Sequence, residues 1–406
     1  MRAELRPTPT LKRSVSAVLV TFYGLGTILG AGIYVLIGAV VAEAGPWTPL
    51  AFVLAAIIAA VTALSYAELV RRLPLCGGEA LYVEAAFARP ALTLAVGLAI
   101  VFCGVVSSAT IAHGFAAYLA LFAPVPAAYA ITAMVALLVA LAVSGIEASV
   151  WVASAMTVVE IGGLLLVLAV GGGSIDPQAA LLALTPPTEL DAAAGIAAGA
   201  FLAFYAFLGF EDMINLAEEV HDAERSLPRA IVTALAVATV LYVAVALVAV
   251  STVPLAAIAG HEAPLAVLVA AGGLDPRLIA AVSVVAVMNG ALVQVIKSAR
   301  VLYGLARAGH LPRLLARVET ATRTPAAATL LVGAGVLGAA LAFDLVRLAA
   351  LTSAVTLAVF AVANAALIAL QRAERRASGR ITGGPALPWL GLVLSLVLLA
   401  AERLVG

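Results

Sequence analysis

The chain contains little charge. Only 11% of its 406 residues are Asp, Glu, Lys or Arg, whereas 64% are apolar and the mean hydropathy is +1.17. Soluble domains carry about 25% charged residues, so this composition excludes a soluble enzyme, a disordered chain and a nucleic-acid binder with a basic face. The 22 basic and 22 acidic residues cancel, so any electrostatic signal must come from where the charges lie.

Cysteine is also scarce. Cys76 and Cys103 cannot make a disulfide framework, and both are interpreted as small buried hydrophobic residues. The four histidines are scattered without metal-ligand spacing, and the sequence contains no G-x-S-x-G, H-E-x-x-H or Walker motif. We therefore expect no metal, no cofactor and no enzymatic activity.

What the chain does contain is a series of apolar blocks. A hydrocarbon core about 30 Å thick needs about 20 helical residues, and their even length and small residues favour packed membrane helices over barrel strands. The sequence therefore predicts an all-α integral membrane protein with about eleven transmembrane helices. The blocks cover roughly residues 15–42, 49–71, 91–122, 127–143, 149–170, 194–217, 229–252, 277–303, 325–342, 346–370 and 387–404.

The basic residues predict the orientation of these helices. Nineteen of the 22 precede the first block or lie in alternate connections, and only Arg277, Arg347 and Arg403 fall on the other side. Lys and Arg are enriched in cytoplasmic loops. We therefore expect a cytoplasmic N-terminus, an external C-terminus and insertion in the inner or plasma membrane.

Two blocks have the sequence of an interrupted helix. In the first, residues 24–34 contain four glycines within nine positions; in the sixth, residues 204–212 contain one glycine followed by two carboxyls. Close helix packing through Gly26 and Gly30 is the alternative for the first. Interruptions at corresponding places in two groups of five spans are typical of transporters built on inverted repeats. The pattern favours a 5+5 inverted repeat with broken helices 1 and 6.

This pattern divides the chain into units. Residues 74–90 and 304–318 each predict a short interfacial helix, with a solvated cytoplasmic connector as the alternative. The expected units are a cytoplasmic N-terminal segment (1–14), a first repeat (15–170), an external loop (171–193), a second repeat (194–370), a cytoplasmic loop (371–386), and a last span with a short tail (387–406).

The ends of broken helices also suggest the ligand. Half-helix N-termini present positive dipole ends, and freed carbonyl groups present negative ones. An α-amino acid carries one carboxylate and one ammonium and suits both. The breaks therefore predict an amino acid substrate before any family is considered.

Several polar residues lie inside apolar blocks. Glu160 is near the middle of the fifth span, where a charge is costly; it is either a proton-coupling group or a structural residue bonded to a neighbouring helix. Glu211 and Asp212 follow the second break, where they either cap the next half-helix or, for Glu211, report protonation to the break. Asn289 and Ser283 are candidates for the cavity or an ion site.

Five segments resemble the amino acid–polyamine–organocation superfamily of secondary transporters, in matching order from about residue 12 to 330. They lie at the first break, the end of span two, the loops after spans six and eight, and the start of span nine. Their residues are 24–34, 66–69 with Pro74, Gly77 and Gly78, 217–220 with 225–231, 300–312, and 323–325. Many members have twelve spans, whereas eleven are expected here.

The resemblance implies a substrate site at the two breaks. The substrate carboxylate would meet the N–H groups of Ala31 and Gly32, and the ammonium would meet the carbonyl groups of Ile28, Tyr205 and Leu208. Tyr205 falls where the family has an aromatic gate, Glu211 where some members carry a proton-sensing carboxyl, and Glu160 where some carry a lysine in an ion site. The expected substrate-binding residues are Ile28, Gly30, Ala31, Gly32, Tyr205, Ala206, Leu208 and Gly209, with proton coupling by Glu160 and Glu211.

The sequence thus predicts secondary active transport of an amino acid by alternating access, as symport with a proton in preference to Na⁺, with lipid as the surrounding partner and no nucleic acid. Two alternatives stay open: an exchanger of amino acids, polyamines or organic cations, and a membrane receptor that binds without translocating. No charged residue is plainly placed to pair with a charged substrate side chain, which favours neutral substrates. The amino acid, the direction of coupling and the oligomeric state stay open.

Overall fold

The computed structural model describes residues 15–30, 32–74, 78–144, 150–319, 322, 324–378 and 384–405. Within these ranges the regular structure is helical, and the one pairing of extended backbone is an isolated bridge between Val15 and Val220. The predicted all-α class is confirmed.

The helices follow the apolar blocks closely. Three short 3₁₀-helices, Gly45–Trp47, Phe210–Leu216 and Arg313–Ala316, supplement the α-helices. The α-helices are α1 (Ala17–Leu29), α2 (Gly32–Ala44), α3 (Thr48–Arg72), α4 (Gly78–Phe87), α5 (Pro90–Leu119), α6 (Ala127–Val143), α7 (Val150–Gly172), α8 (Pro177–Leu184), α9 (Leu190–Ala206), α10 (Ala223–Thr252), α11 (Leu255–Ile258), α12 (Pro264–Ala271), α13 (Arg277–Arg307), α14 (Ala326–Ala342), α15 (Leu345–Ser378) and α16 (Leu387–Val405).

Several helices of the described chain are long enough to span a membrane. Seven segments are long and apolar enough to cross a bilayer, and α6, α14 and the apolar part of α16 are shorter apolar helices. The first segment, Ala17–Arg72, has 56 residues, which at about 1.5 Å per residue exceeds one crossing. The protein is therefore a multi-pass membrane protein, while the number of eleven crossings stays a prediction.

The connecting segments differ from the expectations in two places. A short helix is present within 74–90 as α4, and its position at the membrane interface stays a prediction. The helix predicted at 304–318 is wrong, because α13 continues to Arg307 and only the 3₁₀-helix Arg313–Ala316 follows. Gly309 there has a φ of +85° and Pro312 precedes the turn, so neither continues a helix. The expected external loop 171–193 contains α8, which Asp176 caps by accepting the Gln178 N–H at 2.9 Å.

Side chains at one end of α3 join it to α15. Arg72 bonds to Glu68 at 2.6 Å and to Glu374 at 2.9 Å, and Gln371 donates to Glu68 at 3.0 Å. Glu68 is thus a network residue. These contacts hold the two helices at their ends, away from the interrupted segments.

Helix packing brings the two interrupted segments together. α1 packs against α7, α10 and the 3₁₀-helix Phe210–Leu216, while α2 lies along α9 and α13 along α5. Aromatic rings fix the start of that 3₁₀-helix, because Phe210 contacts Tyr66 edge-on with ring centroids 5.6 Å apart. The site lies between α1, α2, α5, α9, the 3₁₀-helix Phe210–Leu216 and α13.

Candidate substrate site

The helix α1 ends at Leu29, and α2 begins at Gly32. Gly30 keeps helical backbone angles and donates its N–H to the Gly26 carbonyl at 2.9 Å, so the first half extends to this residue. Ala31, proposed to bind the substrate carboxylate, lies outside the described residues. Of the predicted stretch 24–34, residues 24–29 belong to α1 and residues 32–34 to α2.

The other two glycines of that stretch lie inside α1 and serve close packing. A Cβ atom at Gly24 would overlap the side chain of Met213, and one at Gly26 would overlap that of Thr157. Close helix packing therefore accounts for Gly24 and Gly26, and the predicted interruption accounts for the later glycines of the same stretch.

The second interruption follows Ala206. The α-helix ends there, Gly209 has a φ of +123°, and a 3₁₀-helix begins at Phe210. A positive φ of this size is open to glycine and costly for other residues. Glu211 and Asp212 therefore lie at the start of a 3₁₀-helix and not at the start of a second α-half-helix.

The two interruptions touch each other through main-chain atoms. A Cβ atom on Gly32 would overlap the backbone of Ala206, and one on Gly209 would lie 2.9 Å from the Ile28 nitrogen and overlap the Thr27 carbonyl. The Thr27 hydroxyl also donates to the Gly209 carbonyl at 3.0 Å. The two breaks are thus in direct contact, and this contact region of Thr27, Ile28, Gly32, Ala206 and Gly209 is called the joint below.

Tyr242 on α10 donates its hydroxyl to both sides of this joint, a role that the sequence did not indicate. Its hydroxyl lies 2.7 Å from the Ile28 carbonyl oxygen and 3.0 Å from that of Ala206. The Tyr205 carbonyl also accepts a bond, from the Leu208 N–H at 3.1 Å. A substrate ammonium would thus share Ile28 and Tyr205 carbonyls that already accept one bond each. A single tyrosine within an apolar span gives no sequence signal for such a role.

A cavity of about 30 Å³ lies beside the joint. This is room for a few water molecules, so an amino acid needs the surrounding helices to move apart. Four expected binding residues, Ile28, Gly32, Tyr205 and Leu208, line it, and Gly30, Ala206 and Gly209 lie in the joint behind them. The other lining residues are Thr27, Ser107, Ile111, Asp212, Gly290, Val293 and Gln294.

Tyr205 crosses from α9 to α5. Its hydroxyl lies 2.8 Å from the Ser107 hydroxyl and 3.2 Å from the Ser107 carbonyl oxygen. The ring is buried and forms part of the cavity wall. Tyr205 therefore closes the space between these helices in this conformation.

Glu160 is fully buried on α7, next to α1. Its Oε1 accepts a long bond of 3.4 Å from the Asn289 amide, while Glu160 Oε2 and Asn289 Oδ1 have no hydrogen-bond partner among the described residues. A Cβ atom on Gly26 would lie 3.5 Å from Oε2. The carboxyl thus lies against the first half-helix but outside the cavity lining. Ser283 bonds within its own helix, to the Ile279 carbonyl at 2.8 Å.

Acidic residues after the second break have separate partners. Glu211 accepts the Gly209 N–H at 2.8 Å, so its charge bears directly on the break. Asp212 accepts a bond of 2.6 Å from Lys297 on α13. Lys297 was counted in the sequence only as a cytoplasmic charge, because nothing in a 31-residue helix shows that one of its basic residues turns inward.

Two interrupted helices that meet beside a small cavity in a multi-pass helical membrane protein are typical of a transporter, and the relatives of this chain are permeases and transporters, not enzymes. Residues 15–402 match the family described as "Amino acid permease", and the chain belongs to this family, within the superfamily that its motifs resemble. Its substrates are small molecules of the amino acid class.

Similar proteins include a methylthioribose transporter of Bacillus subtilis, 30% identical over 93% of this chain and 86% of its own. A branched-chain amino acid permease of Bacillus subtilis is 27% identical over 96% of this chain and 88% of its own. A vacuolar cationic amino acid transporter of Arabidopsis thaliana is 28% identical over 89% of this chain and 64% of its own.

Proposed function

We propose that the protein takes up a neutral amino acid together with a proton, by alternating access. The observation that carries the proposal is the contact between the two helix interruptions beside one cavity. Main-chain N–H and carbonyl groups at such interruptions suit the carboxylate and ammonium of a zwitterion. The proposed binding residues are those expected from the sequence: Ile28, Gly30, Ala31, Gly32, Tyr205, Ala206, Leu208 and Gly209.

A neutral, aliphatic side chain suits the remaining cavity wall. Ile28, Ile111, Leu208 and Val293 supply apolar surface, against which an apolar side chain gains about 25 cal/mol per Å² buried. The permease among the relatives is named for branched-chain amino acids. Leucine, isoleucine and valine are therefore the first substrates to test.

Alternating access would use the two breaks as hinges. We assign spans 1–5 and 6–10, residues 15–170 and 194–370, to two inverted repeats whose interrupted helices move together, since they are joined at Gly32 and Ala206. Tyr205 gates the substrate from the α5 side. The small cavity volume supports a conformation closed around the site.

Proton coupling is assigned to Glu160 and Glu211. Glu160 is buried, one of its oxygens has no hydrogen-bond partner in the described part of the chain, and it lies against α1. Glu211 accepts the Gly209 N–H at the second break. Adding a proton to either carboxyl changes its hydrogen bonding beside a break. Protonation would in this way alter the balance between inward-facing and outward-facing states.

The proposed location is the cytoplasmic membrane, with the N-terminus inside and the C-terminus outside, in contact with lipid. The excess of basic residues in alternate connections supports this orientation. Labelling of single cysteines from outside intact cells tests it. Cysteines near 176 and 344 should react from outside, and those near 222 and 310 only after the membrane is opened.

Uptake by proteoliposomes tests the main proposal. Purified protein is expected to accumulate labelled leucine when the outside is more acidic than the inside, and a protonophore should abolish accumulation. Accumulation that depends on Na⁺ alone would contradict proton coupling. Counterflow without net accumulation would identify an exchanger, and binding without counterflow a receptor.

A second candidate substrate is a neutral thiosugar, favoured by the relative named for methylthioribose. Such a ligand lacks both charges of a zwitterion and would bind through hydroxyl groups, for which Thr27, Ser107, Tyr205 and Gln294 offer polar atoms in the cavity wall. Competition between methylthioribose and leucine for uptake separates the two. Leucine carboxamide and polyamines in the same assay show whether the carboxylate is required.

A further inference from the structure

One carboxylate lines the cavity and already has a cation bound to it. Asp212 is 3% exposed, and its Oδ1 lies 2.6 Å from Nζ of Lys297. Its other oxygen lies 3.5 Å from the Gln294 amide nitrogen, which also belongs to the lining. Asp212 is the only charged residue among the described residues that line the cavity.

The pair joins two separate elements at the cavity. Asp212 is on the 3₁₀-helix after the second break, and Lys297 projects to it from α13, with only 15% of its side chain exposed. Removing one partner of a buried ion pair leaves the other charge uncompensated, which is strongly unfavourable. The lysine thus fills a site for a cation in the cavity wall.

We propose that Lys297 makes the cavity selective for neutral side chains, because it occupies the carboxylate that would otherwise bind the side-chain ammonium of lysine or ornithine. The inference rests on the proposed amino acid site at the two breaks, from which a long side chain would extend towards Asp212. Rejection of a cationic substrate then has two causes: its ammonium finds no free carboxylate, and it meets the like charge of Lys297. Loss of Lys297 removes both.

Substitution of Lys297 tests this directly. In Lys297→Met, the ratio of lysine to leucine uptake into proteoliposomes is expected to rise at least tenfold, because the substrate supplies the missing cation. The double variant D212N/K297M removes the carboxylate as well and should lose the gain. Lys297→Arg keeps a cation at Asp212 and should keep the wild-type ratio.

The controls separate this inference from the proposed function. Arg313→Met removes an exposed basic residue just after α13 and controls for insertion and net charge. If K297M does not insert, Lys297→Gln keeps a hydrogen-bond donor but no charge, and the same change in ratio is expected. An unchanged ratio in a variant that inserts, or a gain that persists in the double variant, would overturn the role of Lys297. Failure of the wild type to take up any neutral amino acid would instead overturn the proposed function.

Discussion

The hydroxyl group of Tyr242 lies 2.7 Å from the carbonyl oxygen of Ile28, at the end of the first half-helix, and 3.0 Å from that of Ala206, at the end of α9. One side chain on a third helix therefore binds both interrupted segments. Buried carbonyl groups without such a partner are costly in a membrane. Tyr242 therefore stabilises the interrupted helix ends by bonding to their carbonyl groups.

Replacing Tyr242 by Phe is expected to loosen this joint. Loss of a hydrogen bond to buried groups costs about 1–3 kcal/mol, which corresponds to a fall of about five- to 150-fold in substrate affinity if the site is no longer preorganised. Leucine uptake and melting temperature measure the effect. Tyr129→Phe, on a tyrosine that is 71% exposed, is the control and should change neither.

Gly32 permits the contact between the two breaks. In Gly32→Val, the new side chain would overlap the backbone of Ala206, so the joint must open while the apolar helices still insert. We expect uptake to fall below detection at normal expression. Gly162→Val is the matched control, since a Cβ there meets nothing within 4 Å. Normal uptake by Gly32→Val would contradict the assignment of the site to the breaks.

Gly209 combines a positive φ with a close approach to another helix, and the two effects are separable. Gly209→Ala adds both backbone strain and an overlap with the Thr27 carbonyl. Gly273→Ala adds strain of the same kind at a φ of +83°, where no atom lies within 4 Å. We expect the second variant to lose about 1 kcal/mol of stability and keep its uptake, and the first to lose uptake as well. Equal uptake in both would show that the contact with Thr27 is dispensable.

The all-α fold and the candidate position of the site at the two breaks are predictable from local sequence features, whereas the partners within the site are not. Hydropathy gives the positions of the apolar helices, since the bilayer thickness fixes span length; the bounds agree to the residue for 127–143 and α6, whereas α15 runs eight residues beyond the predicted end at 370. Glycine clustering indicates the first break, and Gly209 followed by two carboxyls indicates the second. Tyr242 and Lys297 are single polar residues in long apolar helices, and their roles depend on which helix faces which, which no local pattern encodes. The failed prediction of a helix at 304–318 has a local cause, because Gly309 and Pro312 outweigh the apolar spacing there.

Glu160 is expected to determine the pH dependence of uptake. In a proton symporter, uptake falls as the external pH rises, because the co-substrate becomes scarce. Glu160→Gln keeps the size of the side chain and removes its ability to bind and release a proton, so initial rates between pH 5 and 8 should become nearly constant. Glu189→Gln, on an exposed residue, should keep the wild-type profile. An unchanged profile in Glu160→Gln would clear Glu160 of this role and leave Glu211 to be tested in the same way.

Tyr205 and Ser107 offer a test of the gate. Tyr205→Phe keeps the ring but loses both bonds to Ser107, whereas in Ser107→Ala the tyrosine hydroxyl can still donate to the main-chain carbonyl, 3.2 Å away in the wild type. Tyr205→Phe should therefore raise the apparent KM for leucine more than Ser107→Ala. The double variant should be no worse than Tyr205→Phe alone, because the two residues share one interaction. Ser144→Ala, on an exposed serine, serves as the control. A KM that is unchanged in Tyr205→Phe, with kcat also intact, would show that the ring alone closes the cavity and that its attachment to α5 is unnecessary for transport.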